Sequence, residues 1–429
     1  MLLLRFFFPG YLDPFVPFHI DHFEHLQYSD LGYGFMRYLR EYPRPLGYVI
    51  FDLLGRLGIR GMLVPVFALT LLNAALLIRY VERLTGRFVG AFTVICFFVL
   101  VFANPESYVS VKHDITAVVC LFCLLAVFHL WQNYIETGKK WNIACILVLA
   151  FLSSYVKETY LVTLVVFFVV QTLVCAERRK AAFVLAASSV LIAALSLAFN
   201  AKRSPFVNFT LSPTDIYFQD WSPLSVLHGY QHLLKFLIFP VPALLIIALL
   251  FMIGRRNRQE VAIGLVSLLF VATTLFPHTL LPNHLEDQYA WLGAFFFFGP
   301  VLLAEAFVPK RGLPLAIVLL TGVALCGLTM REYLLSSRGQ GSTSWLREQE
   351  EHQRAFLSSW PIMRNLSKPG EHQLVIGPNI PHQPFMMPGF IRKSLGADRQ
   401  WTIVLPDGFP PSKALTREVI HAADVTSLD

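Results

Sequence analysis

The ionisable residues of this chain gather in a few short stretches, and their types suit proton transfer and anion binding. His19-Ile20-Asp21-His22-Phe23-Glu24-His25 sets two carboxylates among three histidines, and Asp30 follows. Tyr42-Pro43-Arg44-Pro45-Leu46-Gly47-Tyr48 carries one guanidinium between two prolines. Further along come Lys112-His113-Asp114, the pair Lys157-Glu158, and Asn283-His284-Leu285-Glu286-Asp287-Gln288-Tyr289. A carboxylate within hydrogen-bond reach can take the proton of an attacking hydroxyl. An arginine fork holds a phosphate through paired hydrogen bonds, whereas a lysine acts as a point charge. Asp21, Glu24, Glu286 and Asp287 are also able to supply oxygen ligands to Mg²⁺ or Mn²⁺. The plainer reading is that charges at helix ends are solvated or anchor the chain. His22, His25 and His113 read as polar rim rather than ligands, because their spacing fits no closed metal motif.

The elements that position these residues are apolar. Of 429 residues, 55% are hydrophobic and 15% charged, against about 25% charged in a soluble domain. Mean hydropathy is +0.56. The 38 phenylalanines suit helices that face lipid. A net charge of +7 raises the question of nucleic acid. The basic residues form no single patch, however; they sit in short clusters between apolar runs, which is the pattern of membrane topology.

A helical span needs about 20 apolar residues. Runs of this kind cover 61–80, 88–104, 115–133, 141–154, 159–176, 181–199, 233–253, 260–277, 287–308 and 313–331. Alternate connections hold Arg79, Arg83 and Arg87; Lys139 and Lys140; Arg178, Arg179 and Lys180; Arg255, Arg256 and Arg258; and Lys310 and Arg311. The other connections, 105–114, 155–158, 200–232 and 278–286, hold only Lys112, Lys157, Lys202 and Arg203. The positive-inside rule puts the first set in the cytoplasm. Residues 12–60 and the tail from 332 to 429 then both lie outside, as do all the ionisable stretches above. A crossing must precede residue 12. Only Met1–Phe18 is available for it, interrupted by Pro9, Asp13 and Pro17. The expected count is eleven spans, with the first either short or begun upstream of Met1. No small-residue cleavage site follows, which argues against a signal peptide.

Two segments fall outside the spans. After Arg44-Pro45, residues Leu46, Tyr48, Val49, Phe51, Leu53, Leu54 and Leu57 fall largely on one helical face, broken by Asp52 and Arg56. This predicts an amphipathic helix in the outer interface, with Pro45 in its first turn. The tail predicts a helix over 345–360 and strands near Gln373-Leu-Val-Ile and Trp401-Thr-Ile-Val-Leu, a small α/β domain. The six cysteines all lie in or at the ends of apolar runs, so no disulfide framework is expected, and Cys120-x-x-Cys123 reads as helix packing. The expected fold is thus an all-α polytopic membrane domain at 1–331, with its first extracytoplasmic loop at about 12–60, followed by an extracytoplasmic domain at 332–429.

Taken together, these stretches resemble the GT-C superfamily of membrane glycosyltransferases that use polyprenyl-phosphate sugars. The likeness is greatest to the branch with protein O-mannosyltransferases, lipid A aminoarabinose transferase and rhizobial galacturonosyltransferases. It rests on Asp21 in the first outer loop, on Arg44-Pro45-Leu46-Gly47-Tyr48 opening an interfacial helix, on Ser154-Tyr155-Val156-Lys157-Glu158-Thr159 before a middle span, and on Asn283–Tyr289 before a late one. It covers roughly residues 15–330. Many relatives carry two adjacent carboxylates where this chain has Ile20-Asp21, and their Ser-Lys-Glu-Thr stretch has two extra residues here.

The resemblance implies Asp21 as the base, alone or with Glu24. It implies Arg44, Lys112, His113 and Lys157 at the donor phosphate, and Asp30, Asp114, Glu158, His284, Glu286, Asp287 and Tyr289 elsewhere in the pocket. The implied donor is a polyprenyl-phosphate-linked sugar, the acceptor an envelope lipid, glycan or protein, and the location a cell membrane, the bacterial inner membrane. Inversion at the anomeric carbon belongs to the family. No glycine-rich nucleotide motif appears, in keeping with a lipid-linked donor. The alternative is a lipid or solute transporter, but no convincing internal repeat or midplane charge supports it. A polysaccharide ligase or polymerase is a further alternative. It is expected to carry an Arg- and His-dense outer loop; residues 200–232 contain Asp215, Asp220, His228 and His232 but no arginine cluster.

Overall fold

A computed structural model describes residues 35–42, 44–57, 61, 64–86, 115–200, 213, 218–238, 258–284, and three strands between 371 and 428. The described helices are α1 (Phe35–Glu41), α2 (Pro45–Arg56), α3 (Val64–Thr85), α4 (Ile115–Thr137), α5 (Trp141–Val156), α6 (Leu161–Val174), α7 (Arg179–Asn200), α8 (Pro223–Ile238) and α9 (Arg258–Thr279). The described residues divide into two compact units. One holds Leu39–Gly47 and the chain from Phe67 through α9; the other holds the described residues up to Tyr38, Tyr48–Val66 and the strands.

Three segments, Val64–Leu84, Ile115–Thr137 and Ala176–Phe199, are long and apolar enough to cross a membrane. Helices Trp141–Val156 and Glu158–Val174 are apolar but shorter. The expected runs 61–80, 115–133, 141–154, 159–176 and 181–199 correspond to α3 to α7, with ends shifted by a few residues. The runs 88–104, 287–308 and 313–331, the segment Met1–Phe18, and the helix expected at 345–360 lie outside the described residues.

The larger unit is built around α4. Its buried residues lie all round the helix and include Val118, Leu121, Leu125, Phe128 and Trp131. Helices buried on every side form interiors rather than surfaces. Phe128 stacks on Phe167 of α6 at 4.2 Å between centroids and on Phe270 of α9 at 5.5 Å; Trp131 meets Phe168 edge-on at 5.6 Å. α4 packs on α5, α6 on α7, α5 on α7, α6 on α9, and α8 on α9. By contrast, α6 and α7 leave Leu173, Val174, Phe183, Val184, Leu191 and Leu195 exposed. An apolar surface of that extent belongs against lipid or another apolar partner.

Polar side chains bridge the helices. Asn73 Nδ2 donates to the Val118 carbonyl at 2.9 Å, and His129 Nε2 to the Leu76 carbonyl at 2.8 Å. Trp131 Nε1 donates to Gln171 Oε1 at 2.9 Å, Ser196 Oγ to the Ser154 carbonyl at 3.1 Å, and the Thr163 and Thr274 hydroxyls meet at 3.1 Å. Such bonds contribute about 0.6 kcal/mol each between helices in lipid. Cys120 and Cys123 are buried free thiols, and Cys120 Sγ lies 3.7 Å from the Ser153 carbonyl oxygen. The C-x-x-C therefore packs, as its place in an apolar run predicts.

Helix α8 begins where the sequence predicts an outer loop over 200–232. Asp220 Oδ1 accepts the Ser222 N–H at 2.8 Å and Ser222 Oγ accepts the Ser225 N–H at 3.3 Å, with Pro223 opening the helix. His228, Gln231 and His232 interrupt its apolar residues, so the expected run 233–253 marks only its last six residues, 233–238; the rest of that run lies outside the described residues. Gly229 lets α8 close on α9: an added Cβ would lie 2.8 Å from Thr279 Cα.

The smaller unit takes in α2 from Tyr48 onward, the stretch where the sequence predicts an amphipathic helix. The helix's two interrupting charges satisfy each other, with Arg56 Nη2 2.8 Å from Asp52 Oδ2 across one turn. The strands β1 (Glu371–Ile376), β2 (Gln400–Val404) and β3 (Asp424–Leu428) form a parallel sheet in the order β2-β1-β3, with Leu374 opposite Ile403 and Thr426. β1 and β2 fall where the sequence predicts strands; β3 is an addition.

Candidate functional site

The site is built where α5 gives way to α6. Ser153 and Ser154 turn their hydroxyls back onto the carbonyls of Ala150 and Phe151, at 3.0 and 2.7 Å. Serines bonded in this way loosen a helix end. Lys157 then leaves the helix in an extended conformation, with φ −160° and ψ 106°. Its N–H still donates to the Ser153 carbonyl at 2.9 Å, and its own carbonyl lies 3.8 Å from Cys120 Sγ. A single 3₁₀ turn, Glu158–Tyr160, restarts the chain into α6. The extended residue swings Lys157 and Glu158 away from the continuous helical face that they would otherwise share with α5.

Arg44 reaches this turn because Gly47 lets the first turn of α2 approach it. A Cβ on Gly47 would sit 3.3 Å from the Val156 carbonyl oxygen and 3.5 Å from Thr116 Cγ2. From there Arg44 Nε donates to Glu158 Oε2 at 2.9 Å and Nη2 to Oε1 at 2.8 Å. This is the paired fork geometry that favours arginine over lysine. The Glu158 side chain is 10% exposed and that of Arg44 21%. Burial pushes the Glu158 carboxyl up, but the charge of Arg44 and its two hydrogen bonds outweigh that, and the carboxyl is held below its usual range.

These residues open onto a cavity of about 390 Å³. Its polar part is formed by Arg44, Lys157, Glu158, Thr159, Gln219 and His278. Its apolar part runs down Val162, Val165 and Val166 of α6 and faces Val190 and Leu197 of α7. Thr159, Val162 and Val166 share one helical face, so the aliphatic wall extends about 10 Å below the charged turn. The cavity thus joins a charged end to an aliphatic wall.

Of the residues singled out in the sequence, Arg44, Lys157 and Glu158 are brought together here. His284 lies in the 3₁₀ turn Pro282–His284 that follows α9. Asp21, Glu24, Asp30, Lys112, His113, Asp114, Glu286, Asp287 and Tyr289 lie outside the described residues. Among the described residues, no three His, Cys, Asp or Glu side chains gather to hold a metal. Thr159, Gln219 and His278 also line the cavity; Thr159 closes the Ser154–Thr159 stretch and His278 stands at the edge of the expected outer loop 278–286, neither with a role expected of it, and Gln219 was not singled out. His278 is buried at the end of α9, beside Pro277. Its Pro-His pair at a span end is the one trace that the sequence offers. Gln219 is placed by its neighbour: the Asp220 N–H donates to the Leu280 carbonyl at 2.9 Å, which ties the segment to the end of α9.

The other ends of these helices carry different chemistry. Arg83 Nη2 donates to Asn133 Oδ1 at 2.8 Å and to Glu136 Oε2 at 2.7 Å. The Arg178 guanidinium lies over the Tyr134 ring at 5.2 Å. Lys139 and Lys140 before α5, and Arg179 and Lys180 at the start of α7, are exposed. Because α4, α5, α6 and α7 run alternately up and down, the basic residues described at Arg83, Lys139–Lys140 and Arg178–Lys180 collect at one end of these helices and the cavity at the other. Set against known protein families, characterised proteins and solved structures, the chain matches none.

Proposed function

We propose that this chain is a multi-pass membrane glycosyltransferase of the GT-C type, which moves a sugar from a polyprenyl phosphate to an envelope acceptor at the outer face of a bacterial inner membrane. The proposal includes about eleven spans and an extracytoplasmic α/β tail. The observation that carries it is the amphipathic cavity: cations meet above an aliphatic channel at the end of the bundle opposite the basic connections. That end is the one assigned to the outside by the positive-inside rule. A lipid phosphate seated there keeps its chain among α6 and α7 and its phosphate beside Lys157 and Arg44.

The acceptor oxygen attacks the anomeric carbon, and its proton passes to the Asp21 carboxylate, with Glu24 nearby in sequence. The bond from the anomeric carbon to the phosphate oxygen breaks, and its electron pair stays on the phosphate. Charge therefore grows on the leaving group, and fixed cations that already face it stabilise the transition state without reorganising. Lys157 and Arg44 fill this role, joined by Lys112 and His113 from the preceding outer loop. Direct displacement inverts the anomeric centre.

The test uses the full chain in lipid with radiolabelled polyprenyl-phosphate sugars and membrane acceptors. Wild type transfers label; Asp21→Asn does not. Equal transfer by both removes Asp21 as the base. Transbilayer movement of the lipid without transfer would favour a flippase instead.

A further inference from the structure

We propose that the seam between the α4–α5 and α6–α7 connections, with Lys139, Arg178, Arg179 and Lys180, is a docking surface for the head group of an anionic phospholipid. The inference goes beyond glycosyl transfer. It needs the bundle to sit in a membrane, and it does not need the cavity at the opposite end. One fixed cation brings the two connections together. The Arg178 guanidinium lies over the Tyr134 ring of α4 at 5.2 Å, and a Cβ on Gly138 would lie 3.4 Å from Arg178 Nη2. Gly138 closes α4 with φ +66°, and Lys139 follows it. A ring face holds a guanidinium in place. The same planar group binds a phosphate through paired hydrogen bonds. Lys139, Arg179 and Lys180 are exposed beside it along the chain.

The protein does little to neutralise this charge. Among the described residues, none of the four side chains enters an ion pair: Glu136 is bound to Arg83, and Glu177 stands exposed in the 3₁₀ turn Ala176–Arg178. Arg179 and Lys180 also open α7, an end at which the helix dipole repels cations. Four like charges thus face one acid, and an anion from outside would relieve them. The apolar surroundings identify the source of that anion. Leu173 and Val174, each 73% exposed, end α6 just before the cluster, and Phe183 and Val184, also exposed, follow it by about one turn of α7. Trp141 is exposed at the start of α5, and such rings favour the head-group level of a bilayer. A soluble anion would use the cations alone. A phospholipid uses both layers, its phosphate on the cations and its chains along the aliphatic residues.

The test titrates the full chain in a neutral detergent with phosphatidylglycerol or with phosphatidylcholine of the same chains, and native mass spectrometry reads the bound lipid. Wild type should bind phosphatidylglycerol about tenfold or more tightly than phosphatidylcholine, by a margin that shrinks as salt rises. Inorganic phosphate at equal concentration should not displace it. Arg178→Gln and Lys139→Gln should each weaken phosphatidylglycerol binding about fivefold and leave phosphatidylcholine unchanged. Arg178→Lys keeps the charge and should restore most of the loss, which separates charge from packing on Tyr134. Arg56→Gln removes a cation already engaged by Asp52 and should alter neither lipid. Where Arg178→Gln does not fold, the exposed pair Lys139→Gln/Lys180→Gln decides, with an expected loss of about 25-fold. Equal wild-type affinity for the two lipids would overturn the docking surface, as would full phosphatidylglycerol binding by that double variant. Displacement by inorganic phosphate would assign the cations to a soluble anion instead and overturn the lipid. Label transfer is a separate measurement, so failure here leaves the glycosyltransferase reading standing.

Discussion

The two ends of the helical bundle both pair an arginine with a glutamate, yet the pairs do different work. At one end Arg83 and Glu136 are 30% and 49% exposed, joined by a single 2.7 Å contact. At the other, Arg44 and Glu158 are 21% and 10% exposed, joined by two hydrogen bonds between residues 114 apart in sequence. An exposed pair loses most of its attraction to water and salt, and contributes about 0–1 kcal/mol. Removing one partner of a shielded pair strands the other charge away from water, which costs about 3–5 kcal/mol. The same residue types therefore decorate one end and organise the other.

The largest expected effect tests that difference directly. Glu158→Ala should lower unfolding stability by about 3 kcal/mol, at the low end for a shielded pair because Arg44 keeps some exposure. Glu136→Ala should cost less than about 1 kcal/mol. Thermal unfolding in matched detergent decides it, and equal losses would erase the contrast. Next in size, Lys157→Ala should reduce label transfer on the order of 100-fold, as expected for removal of one preorganised charge facing a leaving group. Lys140→Ala, at the basic end, should leave transfer unchanged. Unaltered kinetics in Lys157→Ala would remove it from the phosphate site.

Two glycines sharpen the comparison further. Gly47→Ala places a methyl 3.3 Å from the Val156 carbonyl oxygen and should push α2 away from the turn, at a cost of about 1–3 kcal/mol with weaker donor binding. Gly138 closes α4 with φ +66°, and Gly138→Ala should cost about 1 kcal/mol through backbone strain alone. Donor affinity separates the two, since only the first variant should lose it. The smallest effect is that of pH. The Glu158 carboxyl is held below its ordinary value of 4.5 in the folded chain. The stability it contributes is therefore complete above that value and fades as pH falls toward and through the lower folded value. Wild type should lose stability on acidification through this range more steeply than Glu158→Gln; parallel curves would dissociate the pair from that loss.

Much of the bundle was legible in advance because length and hydropathy are local. The runs that became α3 to α7 announce themselves through uninterrupted apolar residues, and α2 through its one-sided pattern after Pro45. The first part of α8 was not legible, since His228, Gln231 and His232 precede the apolar run that begins at 233 and its support is the close approach of Gly229 to Thr279, a tertiary event. The site divides in the same way. Arg44, Lys157 and Glu158 stand out as charges at the ends of apolar runs. Gln219 and Thr159 are ordinary polar residues, and only the fold gives them a cavity to line.

By itself the sequence determined that this chain builds long apolar helices, that its basic residues alternate between connections, and that a few charges sit at helix ends. Each is a property of neighbours along the chain, and helix formation and burial act over such distances. The tertiary structure alone decided that Arg44 meets Glu158, 114 residues away, and that an imidazole from α9 and an amide from the 218–220 segment complete the same cavity. Those pairings depend on which helices pack together and on how closely a glycine lets them approach, and neither is written in the spacing of the residues concerned.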